Sequence, residues 1–310
     1  MIGPNAPDST DPVVAALLES TTFPSSGTVT LAVSGGPDSM ALLALGVARG
    51  LTVTAVHVDH QLRAASHREG AFVAEWCDRW GATCFRLQVP VLDGPDLEAR
   101  ARVARHGALP SDTLFGHTAD DQAETVVLRL LRGTGPSGLA AMRPERHPLL
   151  GLRRADTEAL CAHLGVEPVR DPTNDDPRFT RNRVRSEVLP LLNDVAGRDV
   201  APLLARLAAL AGEQTDAVDL LALTVDPTDA ASLAAAPPAL AASAFRTWWL
   251  AATDLPYPPD AAAMRRVIDV ARGHSIGCDV AGGWQLRRTS GQLRLVAPGG
   301  VAGTPRAAEG

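Results

Sequence analysis

Two short stretches of this chain bring together side chains suited to phosphate and proton chemistry. The first is Ser34-Gly35-Gly36-Pro37-Asp38-Ser39. Consecutive glycines let backbone N–H groups curl around an anion, and a helix start adds unpaired donors and a positive dipole end. Ser34 and Ser39 contribute hydroxyls. Asp38 is the odd member, because a carboxylate beside a phosphate site is repulsive unless a divalent cation bridges the two, so it is a candidate Mg2+ ligand. The second stretch, GHTADDQAET at 116–125, places His117 beside Asp120, Asp121 and Glu124. With a helix starting near Asp120, Asp121 and Glu124 share one face, and the first turn favours acids. Capping accounts for one acid but not for three beside a histidine, which makes His117 a candidate phosphate or base contact.

A third group is basic. Arg178, Arg181, Arg183 and Arg185 fall within eight residues with no acid between them. They read either as a phosphate-facing patch or as a solvated helix start.

These groups need a frame. Short β-rich runs at 28–33, 51–58, 82–89 and 112–116 alternate with helical patterns at 38–49, 66–80, 95–107 and 120–132. That is the βαβ rhythm of a parallel sheet with helices on both faces. In such a sheet the ligand crevice lies outside the carboxyl ends of the strands, which is where both chemical stretches fall. Beyond residue 195 the composition shifts to Ala and Leu, with helical patterns near 201–222, 239–252 and 260–272 and a terminal hairpin over 280–296 that turns at Gly282-Gly283 and Ser290-Gly291. The expected layout is a flexible segment with a first helix (1–24), an α/β domain (25–195), a smaller helical domain (196–297) and a disordered tail (298–310).

Composition narrows the chemistry. The chain has 310 residues, 45% of them apolar, and a formal charge of -6; all 29 basic residues are Arg. Without Lys there is no Walker A phosphate loop, pyridoxal Schiff base or kinase-type nucleotide lysine. Cys77, Cys84, Cys161 and Cys278 form no C-x-x-C pair and read as reduced core thiols. Gly133-Thr134-Gly135-Pro136-Ser137-Gly138 matches G-x-G-x-x-G, but it follows a helix instead of a strand and reads as a helix stop. No signal peptide or membrane span is visible, so cytoplasm is the expected compartment.

The Ser34–Ser39 loop resembles the pyrophosphate loop of the N-type ATP pyrophosphatases. Further pieces are VHVDHQLRAAS at 56–66, LEARARVAR at 97–105, GHTADDQAETVVLRLLRGTGPSGLAAM at 116–142, PLLGLRR at 148–154 and DPTNDDPRFTRNRVRSEVLPLL at 171–192. Together they resemble one branch, the tRNA(Ile)-lysidine synthetases. His106 departs from the pattern where that family often has Tyr, and Asn174 reads as a turn former.

The resemblance implies a PP-loop, adenine nucleotide α-hydrolase-like fold. It also implies a ligase that adenylates the wobble cytidine of the CAU-anticodon isoleucine tRNA with ATP, releases pyrophosphate, and then lets the lysine amine displace AMP. On that reading Ser34, Gly35, Gly36, Pro37, Asp38, Ser39, His60, Arg63 and His117 bind ATP, with Arg63 equally readable as a surface cation. Asp38 and Asp120 hold Mg2+, and Asp121 and Glu124 hold lysine. Arg178, Arg181, Arg183 and Arg185 meet tRNA, and Asp38, Asp121, Glu124 and Arg185 are the catalytic set. Alternatives are a thiolating or amidating tRNA enzyme of the same group, or a nucleotide-binding sensor. The oligomeric state stays open, a homodimer included.

Overall fold

The computed structural model describes residues 6–59, 66–89, 107–169, 176–253, 255 and 257–299. The expectations for His60, Arg63, His106, Asn174, the tail from residue 300 and most of the 95–107 helix lie outside them. The chain divides into two compact units, Met1–Gly212 and Glu213–Gly310.

The first unit is built on a parallel sheet. Strands β1 (Thr28–Ala32), β2 (Thr52–Asp59), β3 (Thr83–Gln88) and β4 (Leu114–Phe115) lie in the order β3-β2-β1-β4. Thr28 to Ala32 pair with Thr52 to Val56, and on the other side Leu31 and Ala32 pair with Leu114 and Phe115. The order reverses between β1 and β4, so the crevice beyond their carboxyl ends is the topological switch point.

β4 is shorter than the expected 112–116. Thr113 N–H and Oγ1 are both turned back to the Pro110 carbonyl, and Phe115 N–H goes to the Arg146 carbonyl on the far side.

Helix α2 (Pro37–Ala48) is buried on every side from Ser39 to Ala48, which explains its almost unbroken apolar sequence. It lies in a core with α1 (Pro12–Glu19), α3 (Ser66–Trp80) and α6 (Arg154–His163), through Val14, Leu31, Leu43, Val73 and Leu160. The opposite sheet face packs Val56 and Phe115 on Leu109. Between these helices in sequence come α4 (Ala119–Leu131) and α5 (Pro136–Leu139), and Gly133 follows α4 with φ 71°, as its reading as a helix stop requires.

After α6 the chain forms α7 (Thr180–Arg183), a π-turn (Val184–Val188) and α8 (Leu189–Ala196) without a break. Pro190 is the physical cause of the π-turn. Its missing N–H and its ring are incompatible with an α-helical bond to the carbonyl four residues back, and widening the preceding turn relieves both problems. Val184 and Leu189 then pack on Ala123 and Val127 of α4, which brings the arginine segment against the acidic helix.

The second unit holds α10 (Ala230–Ala235), α11 (Pro238–Ala252) and α12 (Ala261–Ala271), numbered after α9 (Ala201–Ala222), with Phe245, Trp249 and Val267 wholly buried. The expected hairpin is instead a three-stranded antiparallel meander: β5 (Gly277–Asp279), β6 (Gln285–Thr289) and β7 (Gln292–Val296). The Gly282-Gly283 turn, both residues at positive φ, adds β5 to the front of the hairpin. Ser290 and Gly291, at φ 49° and 82°, make the tight β6–β7 connection.

Candidate active site

The Ser34–Ser39 loop leaves β1 and enters α2 at the switch point. Gly35 sits at φ +94°, a left-handed conformation that favours glycine. The Ser39 hydroxyl closes the loop: it accepts from Ser34 N (3.2 Å) and Gly35 N (3.1 Å) and donates to the Gly36 carbonyl (2.9 Å). No side chain caps α2 at Gly36, so its first-turn donors are not used by a side-chain cap.

β4 approaches this turn closely. A Cβ on Gly116 would stand 2.6 Å from the Asp38 carbonyl oxygen, so only glycine lets the chain after β4 come this close to the start of α2.

Asp38 faces α6. Its Oδ1 accepts the Thr157 hydroxyl, and its Oδ2 is 3.9 Å from Arg154 Nε. Burial pushes its carboxyl up to about 6; the Thr157 bond opposes this and nearby Asp121 reinforces it.

Arg154 links the loop to a second cluster. Its Nη2 is 3.1 Å from Asp121 Oδ1 and 3.3 Å from Glu124 Oε1. Glu124 is 0% exposed, and it also receives Arg181 Nε at 2.6 Å and Arg185 Nε at 2.6 Å. Arg181 Nη2 reaches Asp121 at 3.0 Å. Two carboxylates thus hold three guanidinium groups. Burial works against ionisation of Asp121, but the charges of Arg181, His117 and Arg154 win and hold it at about 2. Its second oxygen accepts from Thr118 N–H and Oγ1 in a capping box at the start of α4.

Asp120 turns the other way. It accepts from Arg153 Nε (3.0 Å), Arg153 Nη2 (2.7 Å) and Arg154 N (2.8 Å), which clamps the start of α6 to the start of α4. Burial raises its pKa, and the Arg153 hydrogen bond and Arg154 N–H more than offset this. His117 follows β4 and lies 2.9 Å from His147, Nδ1 to Nδ1.

The structure therefore brings Asp38, His117, Asp121, Glu124, Arg181 and Arg185 to one edge of the sheet. The arginine patch splits by helical phase. Arg181 and Arg185 turn inward to Glu124, whereas Arg178 pairs with Asp176 and Arg183 with Glu187 on the exposed side. Asp121 and Glu124, expected to grip a lysine ammonium, both face guanidinium groups in this structure, and Glu124 has no exposed side-chain surface. Asp120, expected to hold metal with Asp38, accepts three N–H donors here, and among the described residues no group of three or more His, Cys, Asp or Glu is placed to hold a metal. Arg154 and Thr157 received no role from sequence, although Arg154 ends the PLLGLRR stretch that carried the resemblance. No helix among the described residues is long and apolar enough to cross a membrane.

Comparison with known proteins identifies two regions of the chain. A PP-loop domain matches residues 11–192, and a TilS substrate binding domain matches residues 229–294. The chain is 43% identical over 287 residues to the tRNA(Ile)-lysidine synthase of Nocardia farcinica, covering 87% of this chain and 88% of that one. It is 43% identical over 239 residues to that of Rhodococcus erythropolis, covering 72% and 74%. Against the Mycobacterium tuberculosis H37Rv enzyme it is 42% identical over 238 residues, covering 70% and 73%. A pyrophosphate-loop unit and a substrate-binding unit in a single chain, with such similarity along most of its length, make this chain a member of the tRNA(Ile)-lysidine synthase family.

Proposed function

We propose that this chain uses ATP to join L-lysine to the wobble cytidine of the isoleucine tRNA with a CAU anticodon. The observation that carries the reading is Arg154, which spans from Asp38 at the phosphate loop to Asp121 and Glu124. It makes the loop and the arginine cluster one site.

The reaction has two displacements. The cytosine ring-2 oxygen attacks the α-phosphorus of ATP, the α–β bridging bond breaks, and pyrophosphate leaves. The lysine side-chain amine then attacks ring carbon 2, and AMP leaves with the activated oxygen. The uncapped start of α2 and the Ser34 and Ser39 hydroxyls hold the departing phosphates. Arg154, Arg181 and Arg185, fixed in place by Asp121 and Glu124, face the charge that develops there. A carboxylate partner keeps each guanidinium oriented before substrate arrives, so little reorganisation is left for the reacting complex.

The donor chemistry also fits Mg2+, which takes hard oxygen ligands and is commonly held by one or two carboxylates plus substrate phosphates. Asp38 would hold it, because its carboxyl stands in the first turn of α2 at the phosphate loop. When bound, the cation would neutralise phosphate charge.

A recess of about 140 Å3 beside the cluster is lined by Asp120, Asp199, Arg153, Arg185 and the apolar Leu189 and Pro190. Its two acids, like Asp121 and Glu124, are paired with an arginine, here Arg153, so a lysine ammonium at this edge of the cluster would share or displace a guanidinium; we assign lysine to this edge.

The test is incubation with isoleucine tRNA, ATP and labelled lysine. One lysine fixed per pyrophosphate released supports the reading. Pyrophosphate release without lysine transfer, or no release at all, overturns it.

A further inference from the structure

We propose that the outer face of the β5–β6–β7 sheet docks the sugar-phosphate backbone of tRNA through Arg287 and Arg294, an inference that rests on the tRNA-modifying function proposed above. The inner face of this sheet is core: Leu286, Leu293 and Leu295 are at most 4% exposed. The pleat therefore turns Gln285, Arg287 and Thr289 of β6 and Gln292 and Arg294 of β7 outward.

In the register of β6 and β7, Arg287 lies directly opposite Arg294. Directly opposed residues have Cβ atoms about 4.5–5.5 Å apart, and like charges at that spacing destabilise a sheet. Both arginines are exposed, and among the described residues neither forms an ion pair.

Neighbouring acids are engaged elsewhere. Asp279 accepts from Gln285 Nε2 at 2.9 Å, while Arg287 donates to the Oε1 of that same Gln285 at 2.9 Å, so an amide separates the charges. Asp229 caps α10 through Ala231 N and Ser232 N, and Asp226 accepts from Thr228 N and Oγ1. On the other flank Arg287 pairs with Gly277, which has no side chain to cover it.

An unneutralised pair on a chain of net charge -6 is a local feature of its own. Its partner must be anionic and must reach a flat polar face. Guanidinium groups match phosphate oxygens in a bidentate fork, and Gln285, Thr289 and Gln292 add neutral donors of the kind that contact phosphate and sugar. An RNA backbone meets both conditions.

The experiment uses the full chain and its R287Q/R294Q variant, with tRNA affinity measured across a salt series. Affinity for tRNA is expected to fall about tenfold, and the slope of log affinity against log salt to flatten by about 2, one per lost phosphate contact. The loss is expected to be equal for isoleucine tRNA and an unrelated tRNA, because phosphates carry no sequence information. The melting temperature is expected to hold or rise, since the like-charge pair is gone. Unchanged affinity and slope, a loss confined to isoleucine tRNA, or a lower melting temperature would each overturn the proposal. Lysidine formation by the parent chain is run alongside. Its absence would overturn the proposed reaction, whereas its presence with unaltered binding by the variant would overturn the docking surface alone.

Discussion

Replacing Glu124 with Gln tests the arginine cluster most directly. The amide keeps the shape of the carboxyl, so no cavity forms and the change is one of charge. In the parent, three guanidinium groups face two carboxylates at 2.6–3.3 Å. Among the described residues the variant leaves those three cations with Asp121 as their nearest counter-ion, and Asp38 stands 3.9 Å from Arg154 alone. Removing one partner from a buried ion pair costs about 3–5 kcal/mol. Arg185 is 33% exposed and can hydrate, which favours the lower end, about 3 kcal/mol. For a unit of this size each kcal/mol shifts the melting temperature by about 2–4 °C, so a fall of roughly 6–12 °C is expected in calorimetry. Pyrophosphate restores negative charge beside the cluster, so it should raise the melting temperature of the variant more than that of the parent. A fall below about 2 °C, under roughly 1 kcal/mol, refutes the counter-ion role. So does an equal pyrophosphate response in the two proteins.

Asp38 gives a pH prediction. Its carboxyl is raised to about 6 from 3.8, so the folded state holds the proton more tightly than the unfolded chain, and this contribution to stability is complete below 3.8 and lost as pH rises through 6. Divalent cation binding needs the ionised form, and with ATP present Mn2+ affinity should weaken about tenfold per pH unit below 6; a flat profile between pH 5 and 7.5 would refute this. Thr157→Val removes the hydroxyl bond that lowers the Asp38 pKa, so the midpoint should move up, and Thr157→Ser should restore it; the same midpoint in all three proteins would show that Thr157 does not act on Asp38. Gly116→Ala places a methyl 2.6 Å from the Asp38 carbonyl oxygen, so the loop must shift and the KM for ATP should rise at least about tenfold; parental kinetics in the variant would show that this close approach does not set the loop.

Local patterns carried the sheet rhythm, the glycine loop and the acidic helix start, because each depends on neighbours a few residues away. The destinations of the charged side chains were not local. Arg154 meets its acids across 30 and 33 residues, and Thr157 meets Asp38 across 119. The spacing of Arg181 and Arg185 shows that they share a helix face, but whether that face points to solvent or to Glu124 depends on Val184 and Leu189 packing on α4. Run length alone could not reveal that turn bonds truncate β4, nor that the second-unit sheet begins at Gly277.

The π-turn at Val184–Val188 makes this helix sensitive to length as well as to composition. A widened turn holds one residue more than an α-helical turn, so everything after it keeps the phase of a regular helix one residue shorter, about 100° behind uninterrupted winding. Arg181 is set on one side of that step and Leu189 on the other, the first against Glu124 and the second in the apolar cluster with Ala123. Regular winding of all these residues would turn Leu189 about 100° away from its cluster while Arg181 stayed in place, whereas dropping Ser186 would keep the phase but set the proline ring against an α-helical carbonyl. The insertions and deletions that surface loops absorb freely are therefore costly in this stretch, where the residue count sets both the helix phase and the place of Pro190.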